Sequence, residues 1–223
     1  MEKPKRVKPL VSKVTLSGLT KKPVLIDANI LMVGIENRGS GDFIFSFENI
    51  KELFLIPMFE SFEKILIHEE VYKELDIEAQ AFVDTYIGKN VEIVSENGLY
   101  DTDPRYNEIF NNISDNKRIR YERGRSKDRG EVYSLAYASY HGINYFCCRE
   151  IMVDLVSREQ PELKNIKIIT FDIIIFLAYI HYKSNNDNSK DKALKSAYKR
   201  YCGDVIRRYK LPETLVKYIE KYK

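Results

Sequence analysis

Five short strand-like runs, four of them apolar and followed within a few residues by a stretch with helical spacing, constrain this chain more than any other feature. They are Val24–Ile26, Ile65–Ile67, Val91–Val94, Ile143–Cys148 and Ile166–Thr170. Runs this short fit buried strands, and Val91–Val94 alternates as an edge strand does. Helices are expected from Ile30 onward and over Glu69–Leu75, Glu78–Ile87, Pro104–Ile113, Asp128–His141, Glu150–Arg158 and Ile173–Tyr182. Gly88 and Gly142 follow two of them, as C-caps do. Phe43–Leu66 is rich in Phe, Ile and Leu, and Pro57 is expected to break or kink a helix there. Strands alternating with helices imply an α/β domain with a central, mostly parallel sheet flanked by helices. In such sheets functional groups gather at the carboxyl ends of the strands.

The length of 223 residues suits one domain with extensions, and 44% hydrophobic with 31% charged residues excludes a disordered, collagenous or coiled-coil chain. The longest apolar run, Ile166–Tyr182, carries Lys167 and Asp172 and is shorter than the roughly 20 apolar residues a spanning helix needs, so no membrane is expected. The N-terminus lacks an apolar signal core. Cys147, Cys148 and Cys202 make neither a disulfide framework nor a zinc spacing. A reducing cytoplasm is the expected compartment.

Charge divides the chain in three. Residues 1–22 hold seven Lys or Arg against Glu2 alone, and residues 183–223 hold twelve against five acids. The part between, 23–182, has 17 basic and 27 acidic residues, so an acidic domain lies between a basic N-terminal arm and a basic C-terminal helical extension. Basic ends suit nucleic acid, because neutralised phosphates release counterions; solubilising tails are the plainer alternative. Lys117, Arg118, Arg120, Arg123, Arg125, Lys127 and Arg129 crowd into thirteen residues inside the acidic part, a candidate contact for a phosphate backbone. In the extension, Tyr198, Tyr201, Tyr209, Tyr218 and Tyr222 alternate with Lys and Arg; base stacking and packing onto the domain are both open.

Acids are the remaining chemistry. Asp27, Glu150 and Asp172 each follow an expected strand. Glu70 and Glu74 share a helical face, Glu150 and Asp154 another, and Asp128 precedes Glu131 by about one turn. Each has an ordinary reading: Asp27, Asp128 and Asp172 as helix N-caps, Asp128 with Glu131 as a capping box, Glu70 and Glu74 as a solvated face. As a set they have no competitor. His68, His141 and His181 are scattered, and neither a phosphate-binding Gly loop nor a serine elbow is present. Clustered carboxylates need a cation, and oxygen-only ligands select Mg²⁺ or Mn²⁺, ions that serve phosphate chemistry.

These residues resemble a PIN domain, the metal-dependent nuclease fold of VapC-type toxins and RNA-processing nucleases. Val24–Leu31, with Asp27, resembles the family's first strand and its leading aspartate. Ile67–Leu75, with Glu74 before Leu75, resembles the second motif. Asp128–Gly142, an acid opening an Ala-rich helix that ends at Gly, resembles the third, and Tyr145–Glu150 the fourth. The resemblance covers roughly residues 23–182. It implies that Asp27, Glu74, Glu131 and Glu150 bind Mg²⁺ or Mn²⁺, with Asp27 and Glu131 as the main ligands and Glu74 and Glu150 completing the site. The chain departs from the family pattern at Glu131, which has Asp128 one turn earlier, and at Cys-Arg-Glu in the fourth motif. Asp128, Asp154, Asp172 and Glu70 are therefore alternates.

The function implied is hydrolysis of phosphodiesters in RNA, with DNA a second candidate substrate. A degenerate module that binds nucleic acid without cutting is the alternative. The resemblance also admits the toxin of a toxin–antitoxin pair, although the chain is longer than a minimal toxin. Its partner would be a protein antitoxin or a second copy, with Phe43–Phe62 as either a partner surface or ordinary core.

Overall fold

The computed structural model describes residues 18–32, 46–119, 128–148, 151–194 and 196–197, without the side chains of Ile151, Met152, Asp172 and Lys183. A short 3-10 turn, Leu19–Lys21, leads into strand β1, Val24–Ile26, and helix α1, Ala28–Leu31. Helix α2, Phe47–Ile50, continues through a π-helical turn, Lys51–Leu55, into α3, Ile56–Ser61. Then come β2, Ile65–His68, α4, Glu69–Glu74, α5, Ile77–Asp84, and β3, Val91–Val94. Helices α6, Leu99–Thr102, α7, Pro104–Ser114, and α8, Arg129–His141, precede β4, Tyr145–Cys147. Helix α9, Ile151–Glu159, β5, Lys167–Ile169, and α10, Phe171–Ser184, complete the series.

The five strands form one sheet in the order β3-β2-β1-β4-β5, every pairing parallel. Parallel strands need helical crossovers and are covered on both faces, which is why β1, β2 and β4 read as apolar runs, while the edge strands β3 and β5 expose Glu92 and Lys167. Alternation then sorts side chains between two cores. Val24, Ile26, Ile65, Ile67, Cys147 and Ile169 join one, and Leu25, Leu66, Phe146 and Ile168 the other. The register stacks Leu66, Leu25, Phe146 and Ile168 side by side across four strands. The first core is covered by α1 to α5 and α10, the second by α7, α8 and α9.

Pro57 does not break the helix, one of the two outcomes expected there. It lies at the start of α3, directly after the π-helical turn in which the Ile56 N–H donates to the Lys51 carbonyl. The widened turn is where the ladder accommodates a residue with no N–H to give. Phe54, Phe59 and Phe62 are buried there, the first two completely, so the core reading holds for them; Phe43 and Phe45 lie outside the described residues.

Packing reaches past both ends of 23–182. Leu19 is fully buried, and the Glu63 N–H donates to the Thr20 carbonyl at 2.9 Å. Leu194 and Ala197 are buried in the first core, and Lys190 pairs with Glu52 at 3.0 Å. Residues 198–223, with the five tyrosines, lie outside the described residues. Among the described residues no helix is long and apolar enough to cross a membrane.

Candidate functional site

The strand order places the reversal of winding between β1 and β4, and ligands of open parallel sheets settle outside the carboxyl ends of strands at that point. Asp27 lies there. Its backbone N–H donates to the Cys147 carbonyl at 3.0 Å, and its side chain is 1% exposed. It occupies the N-cap position of α1 and makes no side-chain capping hydrogen bond to that helix. Asp128, at the N-cap position of α8, makes none either, so the Asp128 half of the expected capping box is not formed. Asp128 and Glu131 are both buried.

Two other N-cap acids behave differently. Asp76 accepts the Ala79 N–H at 2.8 Å, and Asp103 accepts the Arg105 N–H at 2.8 Å. The Tyr140 hydroxyl also donates to Asp103, at 2.6 Å. Capping carboxylates in this fold therefore turn onto their own helices, and those of Asp27 and Asp128 do not.

Helix α4 supplies the next pair. Glu70 is buried and takes Lys73 on one oxygen at 2.7 Å and Arg129 Nε on the other. Burial pushes its carboxyl up, but hydrogen bonds from Lys73 and Arg129 outweigh that and hold it below the ordinary range. The Arg129 guanidinium also lies 5.3 Å over the ring of Tyr133. One turn on, Glu74 Oε1 accepts the Gly130 N–H at 3.2 Å. Glu74 is exposed as a residue; its carboxylate is the part held against α8. Desolvation there pushes its pKa up, the charges of Glu70 and Asp128 add to the rise, and the Gly130 N–H and Arg129 oppose it. The solvated face expected for Glu70 and Glu74 is in fact the contact between α4 and α8.

The structure thus brings Glu70, Glu74, Asp128 and Arg129 together, and α1 packs on α4 as α4 packs on α8. Asp154 is apart, buried on α9 with Arg158 at 2.9 Å; burial raises its pKa and Arg158 pulls it back. Glu150 lies outside the described residues, as does the Asp172 side chain. Of the basic stretch, Lys117 is exposed and Arg118 is spent on Glu159, with Nε and Nη2 at 2.8 and 2.7 Å from its oxygens. Arg120, Arg123, Arg125 and Lys127 lie outside the described residues.

The donor chemistry available to an ion is all carboxylate, which suits Mg²⁺ or Mn²⁺. Geometry is less complete: among the described residues no three Asp, Glu, His or Cys side chains converge as a metal-binding group.

Two features escaped the sequence reading. Gly130 sits in the first turn of a helix, where glycine costs about 1 kcal/mol against alanine, and that cost is the signal of a close approach. His68 is fully buried at the end of β2. Its Nδ1 accepts the Glu70 N–H at 3.2 Å, and Nε2 faces Glu96 at 3.2 Å. Its sequence signals were its place after a strand and beside Glu69 and Glu70, which fit a core or surface histidine as well as a ligand. No protein-family profile, characterised protein or solved structure matches the chain.

Proposed function

We propose that this chain is a divalent-metal-dependent nuclease of the PIN type, hydrolysing phosphodiester bonds in RNA. One observation carries the proposal: two buried acids, Asp27 at the carboxyl end of β1 beside the winding reversal and Asp128 at the start of α8, make no side-chain capping hydrogen bond to their helices. Asp27 and Glu131 would be the principal ligands of Mg²⁺ or Mn²⁺, with Glu150 completing the set. When bound, such an ion lowers the pKa of a water and stabilises charge on phosphoryl oxygens. The chain's own part is to orient: Asp27 is fixed by its backbone bond to β4, and Glu131 by the seating of α8 on α4. Lys117 and its basic neighbours in sequence would hold the polyanion. The test is the purified full chain on single-stranded RNA with Mn²⁺. Cleavage lost in Asp27→Asn supports the proposal, and no cleavage of any RNA or DNA by the parent protein contradicts it.

A second reading has its own observation. Arg129 already places a cation beside the acids, paired with Glu70, as a module that binds nucleic acid without cutting would tolerate. Mn²⁺ titration separates the two, because a binding-only module gains no thermal stability from the ion.

A further inference from the structure

Helix α8 carries Glu131, so whatever fixes its first turn fixes that carboxylate. The first four N–H groups of a helix have no partner inside it. Asp128 does not supply one from its side chain. The acceptor comes instead from another element: Glu74 Oε1 takes the Gly130 N–H at 3.2 Å. The approach is close enough that a side chain at position 130 would press on α4. A Cβ at position 130 would lie 3.0 Å from Val71 Cγ2 and 3.1 and 3.2 Å from the two Glu74 oxygens. One residue earlier, Arg129 reaches back to Glu70, one turn before Glu74 on the same helix. Two successive turns of α4 thus grip two successive residues of α8, and Glu131 is the next residue.

Resting on the nuclease reading, we propose that Glu74 is a positioning residue: a cap supplied across the chain that seats α8 and so places Glu131, with the Glu70–Arg129 pair as the second anchor. What this role needs from Glu74 is an acceptor oxygen at that place, while a metal ligand or catalytic group needs the charge.

The amide of glutamine keeps the acceptor and removes the charge, so Glu74→Gln and Glu74→Ala separate the roles. In the full chain, Glu74→Ala is expected to lower Tm by about 2–4 °C, the effect of losing one cap in a chain this size, and to speed hydrogen exchange at Gly130 and Glu131. It is also expected to lower kcat on single-stranded RNA with Mn²⁺ by about tenfold or more, as loss of a supporting contact does. Glu74→Gln is expected to recover most of the Tm, the exchange protection and the kcat. A Gln variant as inactive as the Ala variant, with protection at Gly130 intact, overturns the proposal, because the charge is then what matters. Unchanged exchange in Glu74→Ala overturns it as well. Hydrogen exchange needs no cleavage, so the cap is tested even if the parent protein cuts nothing and the nuclease reading fails.

Discussion

The backbone N–H of Asp27 donates to the carbonyl of Cys147 at 3.0 Å, which keeps Asp27 in the sheet at the point where α1 begins. The Cys148 N–H donates in turn to the Ile169 carbonyl at 3.1 Å. Three strands therefore end in line, and Asp27 is locked to the strand whose chain leads on to Glu150. A loop acid would have rotational freedom; this one has its backbone fixed by a ladder hydrogen bond and its side chain removed from water.

Gly130→Ala tests the contact between α4 and α8. In an exposed helix the substitution would stabilise by about 1 kcal/mol. Here the added methyl meets Val71, a buried and stiff β-branched side chain, and the Glu74 carboxylate. Overpacking typically costs about 1–3 kcal/mol, so the expected net effect is a loss of stability and a lower Tm. Differential scanning calorimetry reads it, and a raised Tm contradicts the close approach.

The central strands were legible because a parallel sheet buried on both faces writes them as apolar runs, and the edge strand β3 because it alternates. Val24–Ile26 and Val91–Val94 match their expected bounds, and Val91–Val94 is at the sheet edge as its alternation implies. Helix α8 was legible from its Ala-rich face and from Gly142, which takes a left-handed φ of 68°. The π-helical turn was hidden because apolar spacing does not record which carbonyl a given N–H reaches. Among the site residues, Asp27 was visible as a carboxylate after an apolar strand. The pairing of Glu70 with Arg129 and of Glu74 with Gly130 was not, since partners 59 and 56 positions apart leave no local pattern.

The pair between His68 and Glu96 predicts a pH dependence. His68, with Nε2 3.2 Å from its carboxylate, holds the Glu96 carboxyl below its ordinary range, against the desolvation that would raise it. A depressed folded pKa stabilises the fold above the unfolded value of about 4.3, and that contribution is lost as pH falls through the folded value. Glu70 acts in the same direction and Glu74, being raised, in the opposite one. The Tm deficit of Glu96→Gln relative to the parent is therefore expected to shrink as pH is lowered from about 7 to about 3.5. A deficit constant across that range contradicts the coupling.

Phe54→Ala tests whether the Phe-rich helices are core. Phe54 is fully buried and meets Phe171 edge-on at 5.1 Å. Truncation is expected to cost about 3–5 kcal/mol. Urea denaturation measures it, and a cost below about 1 kcal/mol, the usual range for a surface position, would return this face to the list of partner surfaces.

The decisive measurement is cleavage of single-stranded RNA by the full chain with Mn²⁺, compared among the parent, Asp27→Asn and Asp76→Ala. Asp76 caps α5 through its side chain, so its loss is expected to cost about 1 kcal/mol of stability and leave cleavage in place. Asp27→Asn is expected to fold with a Tm near the parent's and to cut at least roughly 100-fold more slowly. Cleavage by Asp27→Asn at the parent's rate would contradict the assignment of the buried acid at the end of β1.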